Sequence, residues 1–239
     1  MAMLCLGFHV LADAKVKLPA LVSDGMVLQR EQSVKVWGTA EPGECVLVKF
    51  LKTSVAKDAL PVAVEGRKVK NDFTVTAGTN GEWSVTLPPL KAGGPYTLRI
   101  NDIELKDIWV GDVWLCSGQS NMELPVSRVT DMFYEEIISY NNEKIRQFAV
   151  PKTYNFHTPQ TEMPPACWQA CTQQHVMDFS ALAYFFAKAM FEKTGVPVGL
   201  IHSSWGGTPV ESRISEDVLK EFPMYVNEKR LYENDDYCK

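Results

Sequence analysis

The strongest constraint on this chain is a change in the spacing of its apolar residues near position 107. Before it, apolar residues alternate with polar ones in short runs: Val34 and Val36, then Val46, Val48 and Phe50, then Trp83, Val85 and Leu87, then Tyr96, Leu98 and Ile100. A period of two with one apolar side is the pattern of antiparallel strands that bury one face. Turn chemistry separates the runs at Glu41-Pro42-Gly43-Glu44, Asn80-Gly81, Pro88-Pro89 and Gly93-Gly94, where proline fixes φ and glycine admits positive φ. The first of these turns predicts a hairpin between the two runs that flank it. Residues 15–107 are therefore expected to form a small antiparallel β-sandwich.

After that point, Ile108-Trp109-Val110 and Val113-Trp114-Leu115-Cys116 are apolar at consecutive positions, as expected of strands covered on both faces. Helical periods follow. Met132, Phe133, Ile137 and Ile138 predict a helix over Thr130 to Tyr140, with Thr130 or Asp131 as its cap. Leu182, Phe185, Phe186, Ala189 and Met190 form an apolar stripe over Ser180 to Lys193, capped by Asp178 or Ser180 and ended by Gly195. Pro197 to Ile201 reads as a buried strand, and Ser215 to Phe222 as a further helix. Strand, helix and strand with short connections build a parallel sheet, so residues 108–239 are expected to form an α/β domain.

Composition narrows the partners. The chain has 239 residues, is 46% hydrophobic and carries a net charge of −5. With no Lys/Arg cluster it has nothing to neutralise a phosphate backbone, which argues against nucleic acid. No apolar run approaches the roughly 20 residues that cross a bilayer. Met3 to Leu11 is apolar and runs into Ala12-Asp13-Ala14, an A-x-A pattern that marks residues 1–14 as part of a signal peptide, though without the usual basic start. The location that follows is extracytoplasmic, periplasmic or secreted. Cleavage would remove Cys5 and leave five cysteines, an odd number that defines no disulfide framework. Cys167, Cys171 and His175 recur at every fourth position and could share a helix face as metal ligands. No fourth ligand is evident, and scattered buried thiols are the simpler reading, with no metal.

Two segments carry chemistry. In the first, a buried strand delivers Ser117-Gly118-Gln119-Ser120-Asn121 to its C-terminal end, where open α/β sheets place their sites. Gly118 allows a sharp turn from which Ser120 projects, with the following amides facing a developing oxyanion. The plainer reading is a polar turn leading into a helix. The run is not the G-x-S-x-G of α/β-hydrolases, because Met122 stands at the last glycine. In the second segment, Ile201-His202-Ser203-Ser204 empties into Trp205-Gly206-Gly207-Thr208-Pro209-Val210-Glu211. Gly206 and Gly207 expose backbone N–H groups suited to a carbonyl oxygen turning into an alkoxide; the alternative is a tight turn that binds nothing. No Gly-Lys-Ser/Thr follows, so this is not a P-loop.

These residues together resemble the sialate O-acetylesterase family, a branch of the SGNH hydrolases. The likeness runs through Ser23 to Arg30, Val36-Trp37-Gly38, Trp83 to Pro88, Val110 to Glu123, Asp178 to Ala181 and Ser203 to Glu211. It implies an N-terminal antiparallel β-sandwich followed by a three-layer SGNH-type parallel sheet, with Ser120 matching the catalytic serine, Gly206 and Gly207 the oxyanion segment, and Asn121 ordering the serine loop. The implied substrate is an acetylated carbohydrate, and no metal or organic cofactor is required.

The resemblance also breaks. The family's base is a histidine in an Asp-x-x-His pair near the end of the chain, whereas His9, His157, His175 and His202 are preceded three positions earlier by Leu6, Tyr154, Thr172 and Gly199. The family's later Gln-Gly-Glu-type block is missing too, so the chain resembles the front of a longer protein. The expectations are an incomplete sheet, little or no activity in these residues alone, and completion by a missing C-terminal segment or a second chain. His202 is the one candidate substitute base, although its place on a strand is that of a packed residue. Two further readings stay open: an acetylxylan-type esterase, and an inactive carbohydrate-binding fragment using Trp37, Trp83 and Trp205.

Overall fold

The computed structural model describes residues 16–52, 60–61, 63–64, 67–68, 71–155, 157–158, 160–234 and 236. The signal-peptide reading of residues 1–14 lies outside them. Ten strands form the first part of the chain: β1 (Val27–Gln29), β2 (Val34–Thr39), β3 (Cys45–Lys52), β4 (Leu60–Pro61), β5 (Ala63–Val64), β6 (Arg67–Lys68), β7 (Asp72–Thr76), β8 (Glu82–Leu87), β9 (Gly93–Ile100) and β10 (Ile103–Gly118). Helices then alternate with strands: α1 (Ser120–Glu123), α2 (Thr130–Ser139), β11 (Asn142–Ala149), β12 (Trp168–Cys171), α3 (Ala181–Thr194), β13 (Val198–Ser204), α4 (Glu216–Leu219) and α5 (Pro223–Tyr232). The result is a mixed α/β protein built on a mixed sheet. No helix among the described residues is long and apolar enough to cross a membrane.

The predicted hairpin across Glu41 to Glu44 does not form. β2 pairs antiparallel with β8, from Val34 opposite Leu87 to Thr39 opposite Glu82, while β3 lies between β7 and β9 in the other sheet. The turn is an arch between layers, which lets the apolar faces of both runs meet across the core instead of lying side by side. Val36, Trp83, Val85 and Leu87 share one buried cluster with Val46, Val48, Phe50, Leu98, Ile100 and Ile108.

β10 runs through the position where the spacing changes. Its first residues pair antiparallel with β9, Trp109 to Gly111 pair parallel with β1, and Asp112 to Gly118 pair parallel with β13. A register shift falls between Leu105 and Ile108, and Asp107 there takes a left-handed φ of 59°, the geometry of a bulge that re-aims a strand. Arg146 of β11, only 5% exposed, closes onto this bulge. It donates to Asp107 Oδ2 at 2.6 Å and to the Glu143 carbonyl at 2.8 Å, and it reaches the Gly25 carbonyl at 3.4 Å.

Beyond the bulge the sheet order is β10-β13-β11-β12. β10, β13 and β11 are parallel and β12 is antiparallel to β11. α3 covers one face, with Ser180 capping it by accepting the Ala183 N–H at 3.3 Å and Gly195 ending it at φ 68°. The helix buries Ala181, Ala183, Tyr184 and Ala187; of the predicted stripe, Phe185 and Met190 pack partly buried against this cluster, whereas Leu182 and Phe186 are exposed. Small alanines let the backbone approach Val198 and Leu200 of the sheet, and closeness decides which side is buried.

Other expectations also change. Thr130 does not cap α2, whose N-cap is Val129; its hydroxyl donates instead to the Val126 carbonyl at 3.1 Å. Trp114 and Leu115 are not covered on both faces but are 43% and 69% exposed; β1 ends at Gln29, and among the described residues no other strand pairs with that edge of β10. Cys171 is on a strand, not a helix, and among the described residues no group of His, Cys, Asp and Glu could hold a metal. The helix expected over Ser215 to Phe222 is shorter, α4, and is followed by α5.

Candidate active site

The serine loop begins where β10 ends. Gly118 has a φ of 156°, and a Cβ there would lie 3.2 Å from the Met122 Cβ, so the turn into α1 excludes a side chain. Ser120 opens the single turn of α1, in which the Gln119 carbonyl accepts the Glu123 N–H and the Ser120 carbonyl accepts the Leu124 N–H, each at 2.9 Å. The Ser120 side chain is exposed at the C-terminal end of the sheet, and no group among the described residues hydrogen-bonds its hydroxyl. Asn121 is exposed beside it and its side chain holds nothing among the described residues. The loop is ordered by other groups: the Gln119 Nε2 donates to the Thr208 carbonyl.

The glycine loop comes up against it from the adjacent strand. β13 is in register with β10 up to Ser204 opposite Gly118, and the Trp205 N–H donates to the Gly118 carbonyl at 3.1 Å. A Cβ on Gly206 would lie 3.7 Å from the Ser120 Cα and 2.5 Å from Glu123 Oε2. The two glycines behave differently. Gly206 gives its N–H to the Glu123 carboxylate, whose other oxygen pairs with Lys152. Gly207 is exposed with a φ of 78°, and its N–H bonds nothing among the described residues.

Arg213 spans both loops. It follows the glycine loop, in a short 3-10 turn over Val210–Arg213. Its Nη2 donates to the Gly118 carbonyl and reaches Thr208 Oγ1 at 2.6 Å and the Trp205 carbonyl at 3.2 Å, while its Nη1 donates to the Pro209 carbonyl at 3.1 Å. Neither Arg213 nor Glu123 was singled out from sequence. Glu123 carried a weak signal, three residues after Ser120 on the first turn of a helix, where a carboxylate suits the amide end.

None of the described histidines hydrogen-bonds Ser120. His202, the candidate substitute base, sits on β13 with Nε2 donating to the Met122 carbonyl at 3.0 Å and 2.5 Å from Ser204 Oγ. Burial pushes its pKa down. An imidazole whose Nε2 proton is held by a carbonyl is packed into the strand and is not aimed at the serine. His175 Nδ1 meets Thr172 Oγ1 at 3.4 Å in the turn after β12. Trp83 is a core residue and Trp37 is partly exposed on β2. Trp205 packs against Tyr154 with ring centroids 4.4 Å apart and the ring planes tilted by 50°. A cleft of about 770 Å³ opens beyond Trp205, between Lys152 and Tyr154 on one side and Tyr225 and Lys229 of α5 on the other.

Comparison with known proteins identifies the family. The family model described as carbohydrate esterase, sialic acid-specific acetylesterase, matches residues 110–234, more than half of the chain. The chain belongs to this family of carbohydrate esterases. Similar proteins include the sialate O-acetylesterases of Rattus norvegicus and Homo sapiens, each 28% identical over 219 residues, or 85% of this chain. The same matches cover 38% and 40% of those relatives, so this chain spans about two-fifths of their length. A solved structure of a carbohydrate acetylesterase from Xanthomonas citri superposes with a TM-score of 0.74 at 36% identity, covering 87% of this chain and 44% of that one.

Proposed function

We propose that this chain carries the nucleophile half of a serine esterase that removes O-acetyl groups from carbohydrate. The observation that carries the reading is the approach of the two loops, with the Gly206 Cβ position 3.7 Å from the Ser120 Cα. Ser120 Oγ would attack the acetyl carbonyl, and amides of the serine loop and of Gly207 would hold the oxyanion. Gly206 would contribute only if Glu123 released its N–H. A histidine–acid pair from outside the described residues, on a further segment or a second chain, would take the serine proton and return it to the leaving sugar hydroxyl. No metal or organic cofactor enters these steps.

The names of the relatives favour an acetylated sialic acid as substrate; other acetylated glycans, including xylan, would meet the same serine. The strands before β10 would serve as a β-sandwich beside an SGNH-type sheet, and the A-x-A pattern at residues 12–14 supports a location outside the cytoplasm. A fluorophosphonate probe, which reacts with activated serines, tests the reading. The expected result is labelling at Ser120 in a longer version that includes an Asp-x-x-His segment, weak or no labelling of the 239-residue chain, and none in either after Ser120→Ala. Labelling at another serine would sink the assignment, and strong labelling of the shorter chain would show that the base lies within it.

A further inference from the structure

We infer that Arg213 is a positioning residue that fixes the nucleophile loop and the oxyanion loop to each other; this rests on Ser120 being the nucleophile. The Gly118 carbonyl belongs to the serine loop and the Trp205 carbonyl to the glycine loop, yet both lie on one guanidinium nitrogen. The remaining contacts, to Thr208 Oγ1 and the Pro209 carbonyl, anchor the guanidinium in its own turn. Gln119 adds a second bridge to the Thr208 carbonyl.

The direction of these bonds matters. In a planar trans peptide the C=O and the following N–H point to opposite sides. Arg213 holds the Gly118 and Trp205 oxygens to itself, so it turns the Gln119 and Gly206 N–H groups away from the guanidinium. For Gly206 the observed consequence is an N–H aimed at a carboxylate oxygen, that of Glu123: the donor already faces a site occupied by negative oxygen. Arginine suits the task because its planar fork serves several carbonyls in fixed directions at any working pH, whereas lysine offers a single point charge. The guanidinium is half-buried and faces five oxygen acceptors, all of them uncharged. It makes no carboxylate pair among the described residues, so its role is to organise backbone.

The test compares the chain with its Arg213→Gln, Arg213→Lys, Arg213→Ala and Ser120→Ala variants, using 4-nitrophenyl acetate. In that reaction Ser120 Oγ bonds to the acetyl carbon, 4-nitrophenolate leaves and the serine proton passes to water. An oxyanion site without its base retains measurable catalysis over water. Peptide mass spectrometry gives the acetylation rate at Ser120, and hydrogen exchange follows the amides of residues 118–121 and 205–208. Loss of alignment by about 1 Å costs on the order of 100-fold, so Arg213→Gln and Arg213→Lys are expected to slow Ser120 acetylation about 10- to 100-fold. Exchange should accelerate in both loops together with little change in melting temperature, and added guanidinium ion should restore part of the rate to Arg213→Ala.

An unchanged rate with unchanged loop exchange overturns the inference. So does a loss that follows a general fall in melting temperature, with exchange raised throughout the sheet, because that is a merely structural role. If Ser120→Ala is acetylated as fast as the unaltered chain, the nucleophile assignment fails instead. The exchange data then still decide whether Arg213 joins the two loops.

Discussion

Replacing Arg146 by alanine removes the one buried cation that joins the bulge of β10 to β11 and to the loop at Gly25. The cost follows from its partners. The ion pair with Asp107 has one side chain 6% and the other 50% exposed. Water would solvate the orphaned carboxylate, so this part is worth about 1 kcal/mol, not the several expected of a fully buried pair. The 2.8 Å bond to the Glu143 carbonyl is charge-assisted and short, worth about 1.5–2 kcal/mol. The 3.4 Å approach to the Gly25 carbonyl adds little. The expected loss is about 3 kcal/mol. Asp107→Asn keeps one acceptor oxygen for Arg146 but puts an NH2 group where Asp107 Oδ1 accepts the Trp109 Nε1–H at 2.9 Å; with that exposed indole N–H released to water, the change should cost about 1 kcal/mol. Urea unfolding followed by tryptophan fluorescence measures both. With a slope of about 3 kcal/mol/M, Arg146→Ala should lower the midpoint by about 1 M and Asp107→Asn by about a third of that. Equal shifts for the two variants would refute the reasoning, since the stability would then reside in the ion pair and not in the bonds from guanidinium to backbone.

Three other outcomes are expected. Burial holds the folded pKa of His202 below its ordinary value near 6.5, so the unfolded chain binds the proton first, and stability is lost as pH falls through about 6.5 toward the folded value. Subtracting the stability curve of His202→Gln from that of the unaltered chain between about pH 7.5 and 5 should isolate this loss, and a flat difference would contradict it. Burial also pushes the Cys171 thiol up to about 12, whereas Cys45 and Cys167 are exposed; iodoacetamide should therefore modify the last two in the folded protein and spare Cys171, as peptide mapping would show. Finally, Gly195 ends α3 at φ 68° with open space around it, so Gly195→Ala should cost about 1 kcal/mol of backbone strain, read as a lower urea midpoint with no loss of Ser120 reactivity.

Much of the architecture can be read from residue spacing, and the failures share a cause. The change from alternating to continuous apolar runs marks where β10 passes from antiparallel neighbours to parallel ones. Local pattern does not say which strands pair: Val34–Thr39 finds its partner at Glu82–Leu87, with β3 to β7 between them in the chain, and the nearest run was the wrong choice. The α3 stripe misled because Leu182 and Phe186 are the larger residues, whereas the sheet contact selected the smaller Ala183 and Ala187. Ser120 and the glycine pair stand out because each interrupts a buried strand at its end. Arg213 and Glu123 do not, since they bind backbone groups 95 and 83 residues away, and a carbonyl or amide leaves no mark on the residue type that supplies it.

β10 also sets how far the parts of this molecule can be separated. The residues on either side of 107 belong to one strand with ladder partners before and after the bulge, and Arg146 bolts that point to β11 of the same sheet. A force applied to the N-terminal strands would be transmitted along a single hydrogen-bonded segment to Gly118, two residues before the serine. The N-terminal strands are thus part of the scaffold of the site, not an appendage joined by a flexible tether. A recombination or proteolytic cut at residue 107 would sever the element that delivers the proposed nucleophile, so the exchangeable unit in protein engineering would have to include all of β10.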